Sequence, residues 1–232
     1  MVTAVFPAAG SSRRMGGGVN KNFMELSGEP ILIRTLKTFS QVSRVNFLIV
    51  VVAAHEVETV EQLLRGTDGL KSWRVTVGGS ERQYSIANGL KLLPDDAEIV
   101  LVHDAARPLV TVRTIDDVID AAKKFGGAIA AVPAKDTIKV VDAQGFVRHT
   151  PPRSELVVVQ TPQGFRREIL LRAYERATAE NFLGTDDSSL VERLGATIRI
   201  VDGGYDNIKV TTPEDIHVAE TFLSGRQHGQ TS

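Results

Sequence analysis

The stretch TAVFPAAGSSRRMGGGVNK, residues 3–21, decides how this chain is read. A short apolar strand, TAVF at 3–6, runs into a segment with four glycines, two serines, two arginines and a lysine and no acidic residue, from Pro7 to Lys21. Packing does not require such a composition. Glycine lets successive backbone N–H groups turn toward an anion, and Arg13, Arg14 and Lys21 place full positive charge beside them. In open parallel sheets, ligands gather beyond the carboxyl ends of the strands, which is where this loop starts. The spacing matches neither G-x-x-x-x-G-K-S/T nor G-x-G-x-x-G, so it supports neither a P-loop NTPase nor a Rossmann dehydrogenase. Taken alone, the loop is either a polyphosphate cradle or a surface loop carrying solvated cations.

Working outward from this loop, apolar runs alternate with helical patterns, the signature of parallel strands covered on both faces by crossover helices. NFLIVVVA (46–53) is a continuous β-branched run suited to a central strand. A helix is expected over 55–65, then WRVTV (73–77), a helix through RQYSIANGLKLL, and the strand EIVLVHD (98–104). Thr111 is a candidate N-cap for a helix with Ile115, Val118, Ile119 and Ala122 on one face, and AIAAVPA (128–134) returns to the sheet. The expected fold is α/β, a doubly wound, mostly parallel sheet.

From 136 to 165 the helical period disappears, and the alternating segment with its DAQG turn and Pro-Pro pair reads as a β-arm leaving the sheet. A long ribbon cannot bury its own apolar residues, so Val157, Val158 and Val159 call for another surface, either a second copy of the chain or the parent domain. Helices are expected at 167–180 and 187–194, a strand at TIRIVDG, and a last helix capped by Thr212 with Pro213 in its first turn. Residues 1–224 read as a single domain and 225–232 as a disordered tail.

With 232 residues and 42% hydrophobic content, the chain can bury a sizeable core. Its 27 Lys and Arg balance 28 Asp and Glu, which argues against nucleic acid or a membrane surface as the main partner. The absence of cysteine removes disulfides, thiolate metal sites and thiol nucleophiles and suits a reducing cytoplasm. The N-terminus lacks the pattern of a signal peptide.

Two further clusters fall at strand ends. VHDAARP (102–108) places Asp104 and Arg107 at the same rim as the glycine loop, where Asp104 can hold Mg²⁺ or form a turn. GGSERQYS (78–85) offers Gly79 for close backbone approach and Ser80 or Ser85 for hydrogen bonds to a base or ribose, or a plain capped turn. Together with the basic loop, the two clusters favour a nucleotide.

PAAGSSRRMGGGVNK, GGSERQYS, HDAARP, KDT, TPQGF, TDDSS and DNIKVTTPEDI, which span residues 7 to about 216, resemble the sugar-phosphate nucleotidyltransferases. Within them they are most similar to the 2-C-methyl-D-erythritol 4-phosphate cytidylyltransferase family. The resemblance implies a Rossmann-like nucleotidyltransferase fold and transfer of a cytidylyl group from CTP to methylerythritol phosphate, with Mg²⁺ and release of pyrophosphate. It implies that Ala8, Ala9, Gly10, Arg14 and Lys21 hold the triphosphate, Arg14 and Lys21 stabilising the transition state. It puts Gly79, Ser80 and Ser85 around the cytidine, Asp104 on the metal, and Arg107, Thr137, Arg153 and Lys209 around the sugar phosphate. Pro7, Ala105, Ala106 and Thr161 complete the substrate-binding set. In the family, Thr137 and Arg153 lie on an arm that reaches into a neighbouring subunit, so a homodimer is expected. The loop lysine stands in NKNF, with Asn20 and Asn22 where the family commonly has Pro and Gln.

A phosphate monoester acceptor already carries nearly two negative charges at neutral pH and attacks without a general base. His103, the histidine near the site, reads as a structural strand-end residue. Two alternatives stay open: a cytidylyltransferase for another polyol phosphate such as ribitol 5-phosphate, and a non-catalytic nucleotide-binding module.

Overall fold

The computed structural model describes residues 1–10 and 21–229, with side chains to 226. Its centre is a seven-stranded sheet built from β1 (Val2–Pro7), β4 (Val45–Val52), β5 (Ser72–Val77), β6 (Ile99–Val102), β7 (Gly127–Pro133), β10 (Val157–Arg166) and β11 (Arg199–Asp202). The strand order is β11-β7-β10-β6-β1-β4-β5. All neighbours are parallel except β10, which runs antiparallel to both β6 and β7. Two short hairpins complete the strands: β2 (Glu25–Leu26) with β3 (Glu29–Pro30), and β8 (Val140–Val141) with β9 (Val147–His149).

Helices cover both faces, which is why β6 is apolar throughout and β1 and β4 are apolar except at Thr3 and Asn46. On one face Ala4 and Phe6 of β1 and Leu48, Val50 and Val52 of β4 meet α1 (Ile31–Gln41), α2 (Val57–Arg65) and α4 (Val112–Phe125). On the other, Val5, Ile49 and Val51 meet α3 (Arg82–Leu90), α5 (Arg167–Ala179) and α6 (Asp187–Glu192). A one-residue slip of β1 would exchange the two sets. Each fully buried Leu, Ile, Val or Phe on these strands contributes about 1.5–3 kcal/mol.

Helix starts follow local chemistry. The Thr111 hydroxyl accepts from the Thr114 N–H at α4, and the Asp186 carboxylate accepts from the Ser189 N–H at α6. At α7 (Pro213–Gly229) the Asp215 carboxylate accepts from the backbone N–H groups of Thr211 and Thr212, a fold-back cap. Among the described residues, no helix is long and apolar enough to cross a membrane.

Two boundaries differ from the sequence reading. The arm is shorter than 136–165, because residues 157–166 form β10 inside the main sheet. Val157, Val158 and Val159 pair with Pro133, Val132 and Ala131 on the β7 side while their side chains stay partly exposed. What leaves the sheet is the stretch between β7 and β10 that carries the β8–β9 hairpin. At the other end, α7 continues through 225–229 where a tail was expected. Arg226 explains the extension: its guanidinium pairs with Asp206 and donates to the Leu109 carbonyl at 2.7 Å.

Candidate active site

Parallel strands bring the ends of β1, β5 and β6 to one rim, and the ladder continues into the loops that follow. Ala8 N donates to Val51 O at 2.7 Å, Gly78 N to Val52 O at 2.8 Å, and His103 N to Val5 O at 3.0 Å. The three sequence clusters are thereby fixed side by side around a cavity of about 550 Å³.

Pro7, Ala8, Ala9, Gly10 and Lys21 line it from the end of β1 and the loop after it, Gly79 and Ser80 from the turn before α3, and Ser85 from the first turn of α3. Asp104, Ala105 and Ala106 follow β6, and Lys209 closes the opposite wall. Arg14 lies outside the described residues. Buried Asn22, one of the departures from the family pattern, donates its amide to the Ala8 carbonyl at 3.0 Å and ties Lys21 back to β1.

Asp104 is the electrostatic centre. Its Oδ2 is 2.8 Å from Lys209 Nζ and 3.7 Å from Arg107 Nε, and its Oδ1 is 3.3 Å from Arg82 Nε. Burial alone would push this carboxyl upward, but Arg82, Lys209 and Arg107 outweigh it and hold it ionised well below the usual carboxylate range. Three cations thus gather on buried Asp104.

Lys209 reaches this point although β11 lies at the far edge of the sheet. The segment after β11 crosses back over the rim and docks by Val210 N on Ala106 O at 2.8 Å. Buried Asn207 fastens it, donating to Gln160 Oε1 at 3.0 Å and Thr161 O at 2.9 Å, while its carbonyl accepts from Arg107 Nη1 at 2.7 Å.

Several predicted residues play supporting parts. Arg107 braces the Lys209 segment and does not line the cavity. The Ser85 hydroxyl accepts from Gly79 N at 3.0 Å and donates to Glu81 O at 3.0 Å, so in this state it shapes the turn. Thr161 accepts from Asp104 N at 3.0 Å and contacts His103 Nδ1 at 3.1 Å. His103 Nε2 lies 3.2 Å from Arg107 O, an atom that can only accept, so the proton sits on Nε2 and Nδ1 accepts from Thr161. Burial lowers this histidine to about 3, and its ring packs on Phe39 at 4.8 Å between centroids. It is a neutral structural residue, as the sequence indicated.

Thr137 and Arg153 are exposed on the arm and do not line the cavity of their own chain. Arg153 Nη1 donates to Lys135 O at 2.9 Å.

Sequence reasoning missed two residues. Arg82 lines the cavity and bridges Asp104 to fully buried Asp187, at 2.8 Å from the latter. Gly78 is the other: a Cβ there would stand 2.5 Å from Ala9 Cβ and 2.8 Å from Ser85 Oγ, so only glycine lets the turn lie against the loop after β1. The adjacent GG pair was the available signal for Gly78, but nothing local marks Arg82.

The model of the family described as IspD, 2-C-methyl-D-erythritol 4-phosphate cytidylyltransferase, matches residues 2–225. The chain belongs to this cytidylyltransferase family. The 2-C-methyl-D-erythritol 4-phosphate cytidylyltransferase of Caldanaerobacter subterraneus subsp. tengcongensis is 45% identical over 223 residues, covering 96% of this chain and 98% of that protein. That of Geobacillus thermodenitrificans is 48% identical over 223 residues, covering 96% and 97%. The crystal structure of 4-diphosphocytidyl-2C-methyl-D-erythritol synthase from Anaerococcus prevotii superposes with a TM-score of 0.86 at 34% identity, over 96% of each chain. Family membership accounts for the clustering of HDAARP, GGSERQYS and DNIKVT at one rim.

Proposed function

We propose that the chain transfers the cytidylyl group of CTP to 2-C-methyl-D-erythritol 4-phosphate, giving 4-diphosphocytidyl-2-C-methyl-D-erythritol and pyrophosphate in isoprenoid precursor synthesis. The observation that carries this reading is the meeting of Lys209 and Arg82 on Asp104 in a cavity that Lys21 and the loop after β1 also line. Such an arrangement in a cytidylyltransferase family suits two phosphate-bearing substrates brought together.

An oxygen of the acceptor phosphate attacks the α-phosphorus of CTP; the new P–O bond forms as the bond to the β-phosphate bridge breaks, and pyrophosphate leaves with that electron pair. The obstacle is repulsion between two anions, so the protein's task is alignment and electrostatic preorganisation. Arg14 and Lys21 balance charge on the α-phosphate and the leaving group, with the backbone from Ala8 to Gly10 beside the triphosphate. Gly79 and Ser80, with the turn that Ser85 closes, hold the cytidine. Lys209 turns from Asp104 toward the acceptor phosphate, with Arg107 bracing its segment.

Among the described residues no group of three or more His, Cys, Asp or Glu gathers to cage a metal. Mg²⁺ does not need one, since it commonly takes one carboxylate together with phosphate oxygens and waters. Asp104, ionised and lining the cavity, fits that single-carboxylate role. When bound, the ion supplies charge neutralisation on the phosphates.

The arm suits a homodimer. Phe146, Val147 and Val141 on and beside the β8–β9 hairpin are 73%, 58% and 52% exposed and call for a covering surface. Thr137 and Arg153 sit on the same arm, and a second copy would place them over the neighbouring cavity to hold the acceptor phosphate, where the planar fork of arginine suits two parallel bonds. The balanced charge and absence of cysteine suit a cytoplasmic enzyme acting on small molecules.

The test is CTP-dependent pyrophosphate release with methylerythritol phosphate and with ribitol 5-phosphate as acceptors. Turnover with the first and not the second is expected. The reverse preference, or CTP binding without turnover on either, contradicts the reading.

A further inference from the structure

The TDDSS motif is not absorbed by the chemistry above, and the structure gives it a place. Asp186 caps α6 and also accepts from Gln163 Nε2 at 2.8 Å. Asp187 turns the other way, into the protein, where no part of it is exposed. Its two oxygens are both used: Tyr174 Oη donates to Oδ1 at 2.5 Å and Arg82 Nη1 to Oδ2 at 2.8 Å. Gln83 fastens the same region, bonding Phe182 O and Gly184 N at 3.0 and 2.9 Å, so the start of α3 and the approach to α6 are bound together.

Arg82 therefore has a fixed end and a working end. Its Nη1 is anchored on a buried carboxylate that is itself held by Tyr174, while its Nε faces Asp104 Oδ1 in the cavity. The two oxygens of Asp104 are thus served differently. Oδ1 meets Arg82, which is anchored; Oδ2 meets Lys209, whose side chain is 37% exposed, at 2.8 Å, with Arg107 Nε farther off at 3.7 Å and its Nη1 committed to the Asn207 carbonyl. A lysine ammonium on a flexible stem can exchange partners, whereas a guanidinium pinned at its other edge cannot without uncovering a buried charge.

We infer that Arg82 is a positioning residue for the transfer reaction, held by Asp187 and Tyr174, and that it keeps Asp104 in one orientation when Lys209 leaves for substrate. The inference rests on the cytidylyltransferase reading and adds the TDDSS carboxylate to its machinery. Bulk stabilisation of the α3–α6 contact is the competing role, and the two roles part when the buried pair is removed together. Replacing both members of a buried ion pair spares the protein an unpaired charge, so the fold recovers while Asp104 still lacks its holder.

The experiment compares wild type, Arg82→Gln and Arg82→Gln/Asp187→Asn by thermal unfolding and by steady-state kinetics with CTP and methylerythritol phosphate. Arg82→Gln is expected to lower both Tm and kcat. The double variant is expected to regain the wild-type Tm to within a few degrees, with kcat still reduced about tenfold or more and the KM for CTP within about threefold. Recovery of kcat together with Tm in the double variant, or wild-type kcat in Arg82→Gln, overturns the inference. Arg82→Lys covers the case in which neither variant folds: it keeps a cation on Asp187 but cannot fork, so a kcat loss of about tenfold at near-native Tm supports the role and full activity refutes it. Absence of turnover in the wild type would instead count against the proposed reaction itself.

Discussion

Lys209 Nζ lies 2.8 Å from Asp104 Oδ2 and joins the segment after β11 to the end of β6 across the rim of the sheet. In the proposed reaction this pair stands where the acceptor and the nucleotide would meet. A lysine so placed exchanges a carboxylate for a phosphate without moving its backbone. Lys209→Ala is accordingly expected to raise the KM for the acceptor more than the KM for CTP, and steady-state kinetics with each substrate varied in turn checks it. A selective rise in the KM for CTP would place Lys209 on the wrong substrate.

The proposed reaction gives Lys21 a different task, on charge that develops at the α-phosphate and the leaving group. Loss of one such charge costs roughly 3 kcal/mol, about a hundredfold in rate. Lys21→Ala is therefore expected to lower kcat far more than it raises the KM for CTP. A change confined to KM contradicts a transition-state role.

Gly78 holds the turn before α3 against the loop after β1. In Gly78→Ala the new methyl meets Ala9 Cβ at 2.5 Å and Ser85 Oγ at 2.8 Å, so one loop must yield. Overpacking of this kind costs about 1–3 kcal/mol, and the affinity for CTP is expected to fall by about tenfold because both displaced loops line the cavity. Calorimetric titration of CTP into the variant measures it; unchanged affinity would mean the loops need not touch.

If the arm serves the neighbouring cavity, two inactive variants can complement each other. Arg153→Ala mixed with Lys21→Ala and allowed to exchange subunits is expected to recover about a quarter of wild-type activity, since half the dimers are mixed and each mixed dimer carries one intact site. A mixture that stays inactive puts Arg153 in its own chain's site or outside it.

Acid should destabilise the protein well above the carboxylate range. Buried His103, lowered to about 3, stays neutral in the native state while an unfolded histidine, at about 6.5, takes up a proton. The unfolded state therefore binds more protons between those values, and stability falls as pH drops through that window, by about 2 kcal/mol from pH 6.5 to 5. Asp104 adds loss in the same direction at lower pH, because its unfolded carboxyl protonates near 3.8 while its native one resists. In metal-free buffer, His103→Gln is expected to flatten the dependence of Tm on pH between 6.5 and 5; parallel profiles would assign the loss elsewhere.

The alternation of apolar runs and helical patterns was legible because each central strand is buried on both faces, as Val5 and Phe6 show by packing on opposite helix layers. The strand-end clusters were legible for the same reason, since a parallel sheet sends the loops after β1, β5 and β6 to one rim. The boundary of the arm was not. Proline in a run argues for an edge or a ribbon, yet β10 is interior because a register shift between Val159 and Gln163 takes Pro162 out of the ladder. Arg82 was hidden because ERQY reads as an ordinary exposed helix start, and its partners Asp104 and Asp187 come from other elements.

The most direct measurement is phosphorus NMR of the chain incubated with CTP, methylerythritol phosphate and Mg²⁺. The account predicts that the acceptor monoester signal disappears as two coupled diphosphate resonances and free pyrophosphate grow in equal amounts. Folded protein that leaves both substrates intact, or that releases pyrophosphate without forming the diphosphate, would contradict it.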